Sequence, residues 1–384
     1  MKKCISQILT IVLLLSCSTP KNTVILDLDK PVNINCSKND NYLIIENVKI
    51  NNEQNLRNLI FDTGSNGTVI DNSIAKQLNL KTVGKSRLVD ITGKKTRVPY
   101  VKIDSINISG AIFRNIYATV TDLSLFECQG VDMILGNNVL KKGTWLIDLS
   151  ANTITLFDGD ENYDFSGYQK IPFSYRINLI KIQCELNGKK YRNILFDTGN
   201  PTDCLLLKQT DRDNFSLNPY SQWNILYRSI NNMQPDTLVR NFYKFPDFKF
   251  NDSINSDSSY VRFSRKRSIG LGLFRDNQLV IDYKNQFIGI KKNLTGVDSA
   301  RKSVGIVFNS FDKNNLIVSG IRLKSSADKM GLILGDTVTA IDNHDADILN
   351  NDYCMFIDSI NSKIFDTLYL KIKNRQELIT LIPE

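Results

Sequence analysis

The chain has 384 residues, 42% hydrophobic and 23% charged, with a formal net charge of +8. That length predicts two or three domains, and the balance is that of a globular chain able to bury a sizeable core, which excludes extensive disorder. No basic-aromatic cluster points to nucleic acid, and no segment after the N-terminus has the length of a membrane-spanning helix.

In chain order, Lys2 and Lys3 precede an apolar run, Ile8 through Leu15, broken only by Thr10. Such a run is too short to span a bilayer and reads as a secretory signal. Leu14-Leu15-Ser16-Cys17 resembles a bacterial lipobox, which implies a signal peptide over 1–16, lipid attachment at Cys17 and an envelope location outside the cytoplasm. A plain signal peptide is the alternative. Removing 1–16 lowers the net charge from +8 to +6. Residues 17–40 read as a tether. After the signal and Cys17, cysteines 36, 128, 184, 204 and 354 remain. They show no C-x-x-C spacing, so no zinc or redox motif is expected, and one disulfide between lobe residues is compatible with an oxidising compartment, its connectivity left open by spacing alone.

The next feature is a repeat. Residues 57–64 read Arg-Asn-Leu-Ile-Phe-Asp-Thr-Gly and residues 192–199 read Arg-Asn-Ile-Leu-Phe-Asp-Thr-Gly. Asp62 and Asp197 are 135 positions apart, Gly136 and Gly272 are 136 apart, and Ile147-Asp148 and Ile281-Asp282 are 134 apart. Two copies of one unit are therefore expected, over 41–165 and 166–297. Each reads as mainly β. Tyr42 to Ile50 and Ile177 to Leu186 are predicted strands, Asn187-Gly188 a hairpin turn with Asn51-Asn52 in the corresponding place, and Asp71 to Leu80 a short helix. Asp90 to Lys94 and Ser229 to Asn232 are predicted hairpin turns, and Asn251 to Ser259 a polar insertion.

In both copies an apolar strand runs into a carboxylate, a threonine that can lock the loop, and a glycine that permits a sharp turn and close approach. The single histidine, His344, excludes the two-histidine zinc-protease motif and any histidine-based triad within the repeats. His344 itself reads as a surface turn.

Phe61-Asp62-Thr63-Gly64-Ser65, Phe196-Asp197-Thr198-Gly199-Asn200, Ile134-Leu135-Gly136 and Ile269-Gly270-Leu271-Gly272 resemble the retropepsin-like aspartic proteases of pepsin-type fold. The resemblance covers about residues 40–295 and implies a mainly β, two-lobed protease. Asp62 and Asp197 would be the catalytic pair, with Thr63, Gly64, Thr198 and Gly199 supporting the loops. No metal or other cofactor is implied; the partners would be a peptide or protein substrate, and the chain a monomer. The hairpins would be flaps, although neither has the tyrosine of the pepsin flap, and Asn200-Pro201 departs from the family pattern. Residues 303–384 resemble a PDZ domain, a small α/β module, through Ser326-Ala327-Asp328-Lys329-Met330-Gly331-Leu332 and Gly335-Asp336-Thr337-Val338. Val304, Gly305 and Ile306 would be its peptide-binding loop. The other function compatible with these residues is a non-catalytic peptide-binding envelope lipoprotein.

Overall fold

The computed structural model describes residues 24–39, 42–51, 53–89, 93–214, 219–229, 232–245, 248–251, 254–256, 259–274, 277–292, 303–309, 315–342, 344–345, 354 and 366–384. The signal segment, Cys17, Asn52, the hairpin tips at Asp90, Ile91, Thr92, Ile230 and Asn231, and parts of the insertion after Asn251 lie outside the described residues.

The chain is mainly β. In the strand Arg57–Phe61, Leu59, Ile60 and Phe61 are apolar on both faces and are buried accordingly. The strand runs parallel to Met133–Leu135, with Phe61 opposite Leu135. Met133–Leu135 is also antiparallel to Thr68–Asp71, so the later strand threads between the two that flank the loop after Asp62. The second half has the same pairings. Lys189–Asp197 is parallel to Ser268–Gly270, and Ser268–Gly270 is antiparallel to Cys204–Lys208. The halves meet in an antiparallel sheet, where Gly143–Asp148 lies between Thr153–Asp158 and Asn277–Asp282. Trp145 is fully buried there, packed edge-on against Phe61 with ring centroids 5.1 Å apart.

Local expectations hold with adjustments. Tyr42–Ile50 is a strand. The helix is shorter than predicted, Asn72–Gln77, with Asp71 accepting from the Ser73 amide as N-cap. Asn187 and Gly188 both have positive φ, 47° and 76°, as a two-residue hairpin requires. The strand expected from Ile177 starts at Leu179. Ile177 and Asn178 instead form a turn with φ of 53° and 54°, and Ile177 is exposed.

Most of the expected tether that is described is strand. Ile25–Asp27 pairs with Ala111–Thr121, and Val32–Asn39 pairs with both Thr153–Asp158 and Tyr42–Ile50. The cause is a period of two: Ile34 and Cys36 are buried while Asn33 and Asn35 are exposed.

The C-terminal residues form their own core around Phe308, Val318, Val338 and Leu370. Ser326–Lys329 is a one-turn helix capped by Ser325, followed by Gly331 at φ 69°. His344 flanks a tight hairpin turn, its backbone paired with Ile341 across it. This unit extends the sheet of the second half, because Leu316–Arg322 pairs with Ser221–Ser229. A disulfide joins Cys128 to Cys354, with Cα atoms 4.9 Å apart. It therefore links the first half to the C-terminal unit and not the two repeated units, while Cys36, Cys184 and Cys204 are buried thiols.

Candidate active site

The strands Arg57–Phe61 and Lys189–Asp197 bring Asp62 and Asp197 together. Beneath them the two threonines interlock. Thr63 Oγ1 donates to the Phe196 carbonyl at 2.8 Å, and the Thr198 amide donates back to Thr63 Oγ1 at 3.0 Å. Reciprocally, Thr198 Oγ1 donates to the Phe61 carbonyl at 2.8 Å, and the Thr63 amide donates to Thr198 Oγ1 at 3.0 Å. Both threonines are fully buried, so each hydroxyl satisfies one donor and one acceptor that water cannot reach.

Gly64 and Gly199 are required by close approach. A Cβ on Gly64 would run into the Asp197 carboxyl, and one on Gly199 into that of Asp62. Asp62 Oδ1 accepts from the amides of Gly64 at 2.7 Å and Ser65 at 3.1 Å. The two carboxyls are adjacent, each lying against the glycine of the other loop. Burial raises the pKa of Asp62, against the pull of the Gly64 amide. Burial first, and then the charge of Asp62, raises that of Asp197 further, while Lys181 draws it back. Two adjacent carboxyls resist double ionisation, so the pair titrates as a unit and favours a single proton.

Two contributors were not read from the sequence. Asn137, fully buried directly after Gly136, donates through Nδ2 to the carbonyls of Thr63 at 2.6 Å and Ser65 at 3.0 Å. Tyr283, from the second half, donates to Asn137 Oδ1 at 2.5 Å. This brace joins residues 146 positions apart. The second half has Leu273 at the matching place after Gly272 and holds its loop otherwise. There Asn200 Oδ1 accepts from the amide and hydroxyl of Thr202 at 3.2 and 2.9 Å, an Asx turn that the Asn200-Pro201 departure makes possible.

Val304, Gly305 and Ile306 belong to the separate C-terminal core and are not brought to the aspartates. Gly305 has φ of 75°, and its carbonyl accepts from the Arg322 amide at 2.8 Å. The Val304 carbonyl accepts from the Ala327 amide at 3.2 Å. Ile306 is buried in the strand Ile306–Asn309.

A family model described as aspartyl protease matches residues 46–139. The match takes in Asp62 to Ser65 and the Met133–Leu135 strand with Asn137, about a quarter of the chain, and Asp197 lies beyond it. No curated protein matches the chain. The first half thus carries the aspartyl protease pattern, and a mainly β architecture agrees with it.

Proposed function

We propose that the protein is an aspartic endopeptidase of two duplicated lobes, 41–165 and 166–297, with Asp62 and Asp197 as the catalytic pair. The observation that carries this reading is the close approach of two carboxyls, one from each repeat, on loops that the threonines lock reciprocally.

The chemistry follows from the proton count. The ionised carboxyl takes a proton from a water molecule as the water oxygen attacks the peptide carbonyl carbon. The protonated carboxyl donates to the carbonyl oxygen. A tetrahedral gem-diol results, and its collapse breaks the C–N bond as the leaving nitrogen gains a proton. The pair ends with one proton again, and no acyl-enzyme forms. Thr63, Gly64, Thr198 and Gly199 would set the loop geometry, and Asn137 with Tyr283 would brace the first loop.

The C-terminal unit, 303–384, would be a PDZ-like peptide-recognition module with Val304, Gly305 and Ile306 at its binding loop. A signal over 1–16 and a lipid at Cys17 would anchor a monomeric enzyme in the cell envelope, outside the cytoplasm. The disulfide supports that location, since such bonds persist in oxidising compartments.

The test is cleavage of a diverse peptide mixture by the purified chain lacking the signal and lipid site, beside Asp62→Asn and Asp197→Asn. Cleavage by wild type that each substitution abolishes is the expected result. Undiminished cleavage by both variants would overturn the assignment.

A further inference from the structure

The two walls beside the aspartates differ in chemistry, and strand register allows them to be compared position by position. In the first half Ile44 lies opposite Ile60, Ile60 opposite Ile134, and Ile134 opposite Val69. In the second half Lys181 lies opposite Leu195, Leu195 opposite Ser268, and Ser268 opposite Leu206. Facing residues of paired strands share a sheet face. Ile60 and Leu195 each precede a Phe-Asp step, so the two rows are counterparts.

The first row is apolar throughout. Ile44, Ile60, Val69 and Ile134 pack with Leu123 and Val131 in a layer apart from the main core, with Tyr42 and Phe126 at its edge. The second row starts with a lysine and ends in arginines. Leu206 lies opposite Arg262, and Arg262 opposite Phe242. Arg240 is two residues along the same strand from Phe242 and so faces the same way. The Arg262 guanidinium is 5.9 Å from the centre of the Phe242 ring. Arg240 senses Arg262, Cys204 and Tyr227, and also Tyr42 from the apolar layer of the first half. Register places it at the end of the row that passes Leu195, two residues before Asp197.

Arg240 is held at a cost. Its Nε is buried without a hydrogen-bond partner. Among the described residues no carboxylate lies within ion-pair distance of Arg240 or Arg262. Burial, and then the like charge of Arg262, push the Arg240 pKa down to about 10. A half-buried guanidinium beside another cation is unfavourable until an anion joins it. Nothing in the fold needs a charge there, because Val98 takes the matching place on the first hairpin, opposite Ser86, and is buried.

We propose that Arg240 and Arg262 form an anionic subsite of the cleft, so that the substrate is a peptide with an Asp or Glu side chain on the second-half wall and an apolar side chain against the Ile44–Ile60 layer. The inference rests on the aspartic protease reading and adds a substrate class to it. An extended peptide lying across Asp62 and Asp197 presents side chains to both walls, and the carboxylate would supply the missing acceptors through charge-assisted hydrogen bonds.

The experiment uses end-blocked peptides, so that no terminal carboxylate competes, matched in sequence except for Glu, Gln or Lys at each position around an apolar residue. Wild type is expected to favour Glu over Gln by about tenfold or more in kcat/KM at one position, with Lys cleaved worst. Arg240→Gln with Arg262→Gln should bring the Glu-to-Gln ratio close to one, and Arg240→Lys should keep a preference for Glu. If the double variant does not fold, Arg262→Gln alone should still lower the ratio. Equal cleavage of Glu and Gln peptides by wild type, or a ratio unchanged in the variants, would overturn the subsite alone. Failure to cleave any peptide would overturn the protease reading, and the subsite with it.

Discussion

Replacing Asp197 by asparagine removes a carboxyl whose pKa burial and the charge of Asp62 raise. Its folded pKa is raised, so the native chain keeps a proton that the unfolded chain releases near pH 4. Stability from that proton is full below the unfolded value and is lost as pH rises from there through the folded value. Asp197→Asn should therefore abolish cleavage yet raise Tm, and raise it more at neutral pH than at about pH 4. Thermal melts at the two pH values decide this, and a lower Tm at neutral pH would contradict it. Lys181 acts in the opposite direction, because its charge lowers the Asp197 pKa. Lys181→Met should raise both ionisations of the pair and move the bell-shaped pH dependence of cleavage to higher pH. A profile that stays in place would remove Lys181 from the account.

Among elements, the two loops depend on each other. Thr63→Val keeps the shape but leaves the Thr198 amide and the Phe196 carbonyl buried without partners. At about 1–3 kcal/mol for each lost partner, this should cost roughly 2–6 kcal/mol in denaturant unfolding, whereas Thr63→Ser should restore most of it. Tyr283→Phe should lower kcat with less effect on KM, because it frees Asn137 to shift the Thr63 and Ser65 carbonyls. The loops were legible in the sequence because Asp, Thr and Gly do their work within three adjacent positions, and the repetition made that visible. Asn137 and Tyr283 were not, because an asparagine after a glycine and a tyrosine after an aspartate say nothing until the fold joins them. The same holds for Arg240 and Arg262, whose meaning comes from register across five strands. The strand Val32–Asn39 was legible in principle, since Val32, Ile34 and Cys36 alternate with Asn33, Asn35 and Ser37, but its position just after the signal favoured a tether reading. Cysteine pairing was out of reach because spacing alone carries no connectivity.

At the scale of the whole molecule, the C-terminal unit is built into the sheet of the second half. Trp223, Asn224 and Ile225 pair with Arg322, Ile321 and Gly320, and the Leu323 amide donates to the Gln222 carbonyl at 2.8 Å. Ending the chain at residue 297 would bare this edge of the second hairpin. Such a chain should aggregate at concentrations where the full chain remains monodisperse, as size-exclusion chromatography would register. An equally monodisperse truncated chain would mean that the edge is tolerated.

The Cys128–Cys354 bond, between cysteines 226 positions apart, closes the polypeptide into a covalent ring that contains Asp197 and the whole second half but not Asp62. A backbone cut anywhere inside that ring opens it without releasing a fragment. A nick made by the enzyme itself, or by a neighbouring protease, in the stretch between the second half and the C-terminal unit would leave a single molecule under oxidising conditions. Only a reductant would then separate the pieces, so wear on the chain and loss of its parts are distinct events.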